Sequence, residues 1–388
     1  MALCVSVTIS YGVLYYAFTV LAPAIAADTG WTATAVTAAF SVGSLTGAVA
    51  GIAVGRGLQR RGPRLVMTAG SLLGAVAIAL VALAPTYPVF VVAWLLVGLA
   101  SSGTFYPPAF AALTHWFGAG RVRAITTLTL VAGFASTIFA PLTAALGEWI
   151  GWRETYLVLA MLLLVVTVPA HAFALRLPWH PDGEAGHGRP DREILTSRTF
   201  LLLTASGTLV VLAMYASLVN LVPLLLDHGV GLQLAAWALG LSGAGQVAGR
   251  LAYPALHRRL TPNARAAGVI ALMVVTLAAL ALVPGPALVL ITIAVLGGAA
   301  RGLFTLVGAT IVNDHWGPQR YAALNGVYHA PMGIAAALAP AFGAGVAAIT
   351  GSYAVLFGVL ALIALAAATL AASAGDPSAS RRDAELVE

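Results

Sequence analysis

Two arginines, Arg250 and Arg301, lie inside long apolar stretches of the sequence. A charged side chain near the centre of a bilayer costs roughly 2.5–3.5 kcal/mol on insertion scales, so some benefit must offset it. Guanidinium groups bind carboxylates through two parallel hydrogen bonds, and no Asp or Glu lies within an apolar stretch to neutralise them. The pair therefore predicts a clamp for a small organic anion. The alternative is that each arginine bonds backbone carbonyls or extends to the membrane surface.

One histidine, His329, lies well inside an apolar stretch and is the candidate for proton coupling, because imidazole titrates between about pH 5 and 8. The alternative is a packing role, in which case the protein exchanges substrates, works as a uniporter or moves a proton with the substrate. Other polar side chains are expected to line a wet cavity. They are Tyr11 and Tyr15, which share a helical stripe with Thr8 and Thr19, and Tyr106, Asn220, Gln246, Asn325 and Tyr328.

The composition places these residues in a membrane. The chain is 60% hydrophobic and 8% charged, whereas an average soluble domain has roughly 25% charged residues. Twelve apolar stretches each reach the ~17–25 residues that span a bilayer as a helix. The sequence therefore predicts an all-α integral membrane protein with twelve transmembrane helices.

The second half of the chain repeats the first at an offset of about two hundred residues. Tyr15 and Pro23 return as Tyr215 and Pro223, and the same offset relates other landmarks. Two parallel repeats are typical of transporters whose substrate site lies between them near the bilayer midplane. We therefore expect two pseudo-symmetric six-helix bundles, residues 1–176 and 200–372, with a cytoplasmic linker at 177–199 and a cytoplasmic tail at 373–388.

The arginine distribution predicts the orientation. All nineteen basic residues are arginines, and sixteen of them fall in the loops and tail on one face of the predicted topology. By the positive-inside rule that face is cytoplasmic, so both termini of this multi-pass protein are expected inside the cytoplasmic membrane. Contacts of these arginines with lipid and their role in setting the topology explain the pI near 9.8, so no nucleic-acid partner is needed to explain it.

Glycines recur once per turn in two of the predicted spans. Gly43 and Gly47 begin a run in the second span that continues through Gly51 and Gly55, and a similar spacing appears in the eighth span at Gly245 and Gly249. Small residues at this spacing let helix backbones approach closely. We expect these faces to belong to spans that seal a gate.

A loop motif carries a resemblance to a known family. The stretch from Gly55 to Arg64 resembles the signature that the major facilitator superfamily places between its second and third spans, and Gly151-Trp152-Arg153 resembles the start of its sixth. The resemblance covers essentially the whole chain and implies that fold. Its candidate gating-loop residues are Gly55, Gln59, Arg60, Arg61, Gly62 and Arg64. The acidic residue usual in this loop is Gln59 here, which implies a gate held in a different way.

Within the superfamily the chain resembles the monocarboxylate and oxalate/formate group. The resemblance rests on three segments: Tyr11-Gly12 through Pro23 ahead of Gly30-Trp31, Tyr106-Pro107-Pro108 leading to Trp116-Phe117, and Gly249-Arg250-Leu251. It implies that Arg250 matches the arginine that binds substrate carboxylate in that group. Two positions depart from the group: Gln246 stands where an acid is often found, and the span-eleven lysine of the oxalate branch has no counterpart.

These features predict a secondary active transporter, a symporter or antiporter, that moves a monocarboxylate-like anion by alternating access. No cofactor motif, metal-ligand cluster or phosphate-binding loop is visible, so we expect neither an enzyme nor a cofactor. We expect a monomer whose partners are a small anionic substrate, membrane lipid and, if His329 titrates, protons. The alternatives are an efflux carrier for an anionic or zwitterionic metabolite or antibiotic, and, from other classes, a membrane sensor or enzyme.

Overall fold

The computed structural model describes residues 1–179 and 192–375. Much of the predicted linker and nearly all of the predicted tail therefore lie outside the described residues. Within these two ranges every regular element is a helix.

Ten helices of the described chain are long and apolar enough to cross a membrane. The longest, Ala33–Leu83, contains two spans because Gly62, at φ 77° and ψ 166°, interrupts the helical backbone. A further helix, Leu232–Arg259, has 28 residues but is more polar than the ten. The spans are α1 Ala2–Thr29, α2 and α3 on either side of Gly62 in Ala33–Leu83, α4 Tyr87–Phe117, α5 Arg123–Ile150, α6 Trp152–Ala174, α7 Arg198–Asp227, α8 Leu232–Arg259, α9 Pro262–Leu282, α10 Ala287–Trp316, α11 Pro318–Thr350 and α12 Tyr353–Ser373. The predicted twelve-helix membrane fold is confirmed.

Local sequence signals begin and end these helices. Thr32, Ser197, Thr261 and Ser352 each accept a hydrogen bond from the backbone N–H three residues later, which satisfies a donor that a helix leaves free at its start. Gly351 ends α11 in the left-handed conformation, which glycine adopts without steric cost. The caps keep the loops between neighbouring spans short.

The first span contains a π-helical turn at Gly12–Tyr16. Such a turn inserts one extra residue into a helix and often marks a functional site. Gly12 permits it to pack tightly, because a Cβ there would overlap the ring of Phe139 in α5. Tyr15 and Tyr16, which are adjacent in this turn, consequently meet different neighbours.

Glycines bring neighbouring helices of the same half into backbone contact. A Cβ on Gly43 or Gly47 would meet the carbonyls of Trp94 or Gly98 in α4, and a Cβ on Gly245 would meet that of Val295 in α10. The other glycine of the eighth span, Gly249, packs against α10 in the same way. These positions therefore join helices within a half rather than sealing a gate between halves, and the last two glycines of the α2 run meet open space.

The two halves pack through α2 with α11 and through α5 with α8. Thr34 donates to the Ala344 carbonyl at 3.4 Å, and the Ala341 N–H donates to the Ser41 hydroxyl at 3.0 Å. Thr137 donates to the Gly240 carbonyl at 2.7 Å. Buried apolar residues form one large core that is mainly in α7–α12 and two that are mainly in α1–α6, as two six-helix bundles require. We call the end that carries the α2–α3 turn the loop end.

Candidate substrate site

A cavity of about 550 Å³ lies among α1, α2, α4, α7 and α11 and reaches the exposed Gln59 at the loop end. Its aromatic wall consists of Tyr11, Tyr15, Phe40, Trp94, Phe105 and Tyr215. Ser44, Ser101 and Ser102 add hydroxyls whose hydrogens bond carbonyls of their own helices. Of the described residues that line this cavity, none is charged. The space suits a molecule with a substantial apolar or aromatic surface.

Tyrosines from both halves meet at the end of the cavity that is distant from the loop end. The ring of Tyr11 stacks on Phe105 with centroids 4.0 Å apart and lies 4.8 Å from the ring of Tyr106. Tyr15 meets Tyr215 edge to face at 6.2 Å. The Tyr15 hydroxyl is buried and has no hydrogen-bond partner in the described structure.

Arg301 lies behind this layer of tyrosines, on α10. Its side chain is only 8% exposed, and Nη2 donates to the Ser242 hydroxyl on α8 at 2.8 Å. Tyr15, Tyr16 and Tyr215 lie within electrostatic range of the guanidinium. It does not line the large cavity but borders a small pocket within the second half, beside Ser217 and Phe357.

Arg250 connects three helices near the same tyrosines. Its Nη1 donates to the Thr129 carbonyl of α5 at 2.9 Å, and the guanidinium interacts with the Tyr106 side chain of α4. Its Nε is buried without a partner. Tyr16 of α1 and Tyr215 of α7 each lie within electrostatic range of both this arginine and Arg301.

Neither interior arginine is neutralised by an acid in the part of the chain that the structure describes. The ion pairs found there join Arg153 to Asp28 at 3.6 Å and Arg265 to Asp314, at the ends of the helices. Two cations inside the bundle therefore face carbonyls and hydroxyls only. The guanidinium groups can donate hydrogen bonds to a ligand carboxylate without first breaking an ion pair.

Several predicted site residues lie away from this cavity. The His329 ring faces Gly308 of α10, and its Nδ1 donates to the Asn325 carbonyl at 3.0 Å. Tyr328 is buried beside it, with ring centroids 4.9 Å apart. Asn220 lines a separate cavity of about 280 Å³, which Asp227 also lines, toward the end opposite the loop end.

Gln246 does not line the cavity, and its backbone packs against α10. A Cβ on Gly302 of α10 would overlap the Gln246 backbone. The structure thus brings Tyr11 and Tyr15 into the cavity wall, and Tyr106 and both arginines directly behind it. It does not bring Asn220, Gln246 or His329 into that wall. Asn325 and Tyr328, which contact His329 within α11, do not line the cavity either. Their functional roles stay predictions.

The predicted gating loop is held by the beginning of the linker. Trp179 Nε1 donates to the Gln59 carbonyl at 3.0 Å, and its ring covers Gly62, where a Cβ would lie 3.0 Å away. Arg64 Nε donates to the Ala172 carbonyl at 2.8 Å. The other loop residues differ in exposure: Gly55 lines the cavity, whereas Arg60 and Arg61 are exposed. The loop is thus bound by an indole and backbone groups, and its gating role stays a prediction.

The predicted site residues did not include Tyr16, Tyr215 or Trp179, nor Phe40, Trp94 and Phe105 of the aromatic wall. Tyr215 had a signal in the repeat, because it is the counterpart of Tyr15. Tyr16 had none, because its direction depends on the π-helical turn. Trp179 lies in the polar linker, where nothing in the sequence indicates that it folds back on the loop.

Comparison with known proteins gives a consistent result. The family described as Major Facilitator Superfamily matches residues 3–296. The chain is 34% identical over 246 residues to a "Chloramphenicol resistance protein" of Streptomyces lividans, covering 59% of each chain. It is 31% identical over 156 residues to "Monocarboxylate transporter 11" of Homo sapiens, covering 38% of this chain and 33% of that protein.

The chain thus spans about three fifths and one third of the lengths of these two relatives. The structure is also similar to that of the nucleoside transporter NupG, with a TM-score of 0.76 and 13% identity over 95% of this chain and 98% of that one. At that identity the likeness shows the fold alone. The family match covers most of the chain, and we conclude that this multi-pass membrane protein belongs to the Major Facilitator Superfamily.

Proposed function

We propose that this transporter moves a small, monocarboxylate-like organic anion by alternating access. The observation that carries the proposal is the pair of interior arginines, which have no acidic partner among the described residues and lie within electrostatic range of Tyr16 and Tyr215. A carboxylate that reached this point would receive charge-assisted hydrogen bonds in a site of low polarity, where such bonds are strong. The similarity to a protein named as a monocarboxylate transporter supports the same class.

The contacts between the halves support alternating access. The halves touch near Thr34 and Ser41 of α2, at the end opposite the loop end, while the cavity extends to Gln59. If both termini are cytoplasmic, as the arginines predict, this arrangement is open inward. We further propose residues 1–176 and 200–372 as the two moving bundles of a monomer.

An efflux carrier for an aromatic antibiotic is the second candidate. The cavity itself favours this candidate, because its described lining residues are uncharged and mostly apolar or aromatic. The similarity to a chloramphenicol resistance protein supports it as well. The two candidates differ in whether the transported molecule needs a negative charge.

Counterflow in proteoliposomes tests the charge requirement. Vesicles containing the purified protein are loaded with unlabelled lactate, benzoate or chloramphenicol, and entry of the same labelled compound is measured. We expect saturable exchange of an anion and none of chloramphenicol, because only the anion can occupy the arginine pair. Exchange of chloramphenicol without exchange of either anion would reject the proposal in favour of the second candidate.

His329 is proposed to set the pH dependence. Uptake of the anion is expected to rise as pH falls, because a protonated imidazole adds positive charge in the second half and histidine titrates in the range tested. His329→Gln should flatten that rise while retaining exchange of substrate for substrate. Initial uptake is measured at several pH values with the membrane potential clamped. An unchanged pH profile would assign His329 to packing between α11 and α10.

A further inference from the structure

The large cavity is bordered by one helix from each half, α2 and α11, and we call the space between these two helices the gap. Ala48 of α2 and Gly333 of α11 both line the cavity and are both exposed. Each is about 15 residues from the beginning of its helix, which is about 22 Å along it. The hydrocarbon core of a bilayer is about 30 Å thick, so this gap lies at membrane depth.

The side chains around the gap are those of a lipid-facing surface. Val49 and Ile52 on α2 are 65% and 66% exposed, and Ile334 and Leu338 on α11 are 52% and 45% exposed. The nearest exposed charge on α2 is Arg56, two turns nearer the loop end than Ala48. The gap therefore faces hydrocarbon rather than water.

In the part of the chain that the structure describes, the hydrogen bonds found between α2 and α11, at Thr34 and Ser41, lie at the end opposite the loop end. At Gly51 and Gly333 an added Cβ would meet no atom within 4 Å. The two glycines thus border open space, and the second half of the α2 glycine run forms one edge of the gap.

The lining of the cavity differs in polarity from place to place. Ala48, Gly51 and Gly333 border the gap, whereas Tyr11, Tyr15 and Tyr215 contribute phenol side chains to the aromatic wall. An amphipathic anion placed with its charged group at the tyrosines would direct an apolar tail to the gap. A short hydrophilic anion would leave this apolar part of the cavity unused.

We propose that the gap between Ala48 and Gly333 is a portal to the bilayer, and that the substrates are amphipathic organic anions whose apolar tails lie in it. The proposal rests on the proposed function for the charged group, but the portal is a property of the protein alone. The portal lets a tail stay in hydrocarbon while the charged group enters the site. The substrate class is therefore narrower than that of the proposed function: each substrate has an anionic group joined to an aromatic or alkyl tail.

Spin-label accessibility tests the portal without any substrate. Single cysteines replace Ala48 and Gly333 in a Cys4→Ser background, and the labelled protein is placed in lipid nanodiscs. Relaxation by oxygen, which concentrates in hydrocarbon, is compared with relaxation by a water-soluble nickel complex. Val49→Cys is the lipid-facing control and Gln59→Cys the water-facing one. We expect both portal positions to follow Val49, and the proposal is overturned if they follow Gln59.

Transport of two sulfonates tests the substrate class. Methanesulfonate and octanesulfonate carry the same permanent charge and differ only in the tail. Ala48→Phe and Gly333→Phe should lower uptake of octanesulfonate by about tenfold more than uptake of methanesulfonate, because the ring occupies space that the tail would bury. Ala53→Phe is the matched control, since Ala53 is exposed on α2 but does not line the cavity.

The outcomes separate the two proposals. Equal loss of both sulfonates in the portal variants, or no loss of either, would overturn the assignment of the tail to the portal. If the unmodified protein carries no anion at all, the proposed function fails, while the spin-label result still decides whether the gap opens to lipid.

Discussion

Arg250→Ala is expected to abolish anion transport and leave the protein inserted and folded. The substitution removes the donor that links α8 to the Thr129 carbonyl and to Tyr106, together with half of the proposed anion clamp. A hydrogen bond to a charged group contributes about 1.5–3 kcal/mol, which corresponds to roughly a 10- to 150-fold loss of affinity. Initial uptake and substrate-induced thermal shift in purified protein measure the two effects.

Arg250→Lys is expected to fail almost as completely. A lysine ammonium is a point charge, whereas the guanidinium fork can bond Thr129 and still present donors to a carboxylate. Arg258→Ala is the matched control, because Arg258 is an exposed arginine on the same helix. Near-normal uptake by Arg250→Ala would reject the clamp. Normal uptake by Arg250→Lys would show that only a positive charge is needed.

The sequence allowed the helices and the approximate depth of the charged residues to be predicted. The apolar stretches of spanning length are helices in the structure, because in a bilayer each backbone polar group must form its hydrogen bond within its own segment. Arg250 and Arg301 are interior, as their positions in α8 and α10 predicted. Polarity explains why α8, which contains Gln246 and Arg250, is not among the ten most apolar spans.

The direction of each side chain could not be predicted, because it depends on contacts between helices. Arg301 points to Ser242 rather than into the cavity, since α8 and α10 meet at a glycine-to-backbone contact that sets the rotation of both. Tyr16 turns toward Ser136 because one extra residue in the π-helical turn rotates it away from the stripe of Tyr11 and Tyr15. A regular helical period of 3.6 residues predicts neither the direction of Arg301 nor that of Tyr16.

The rotation of α8 against α10 leads to the second prediction, which concerns stability. Gly298→Ala is expected to destabilise the protein strongly, because its Cβ would fall on the backbone carbonyl of Ser242. Overpacking of a well-packed interior typically costs about 1–3 kcal/mol, and a backbone carbonyl cannot turn away as a flexible side chain can. The expected result is a lower melting temperature in detergent and a reduced yield of monodisperse protein.

Gly297→Ala supplies a control one residue away on the same helix. A Cβ at Gly297 would meet its nearest atom, Thr276 Oγ1, at 3.4 Å, which is an ordinary contact. Alanine is also preferred to glycine within a helix by roughly 0.5–1 kcal/mol, so this variant should be as stable as the parent or slightly more so. Equal melting temperatures for the two variants would show that α8 and α10 can separate at no cost. Because the Arg301–Ser242 hydrogen bond spans that same contact, the protein that survives in Gly298→Ala should also bind substrate more weakly, which a change in helix propensity alone would not produce.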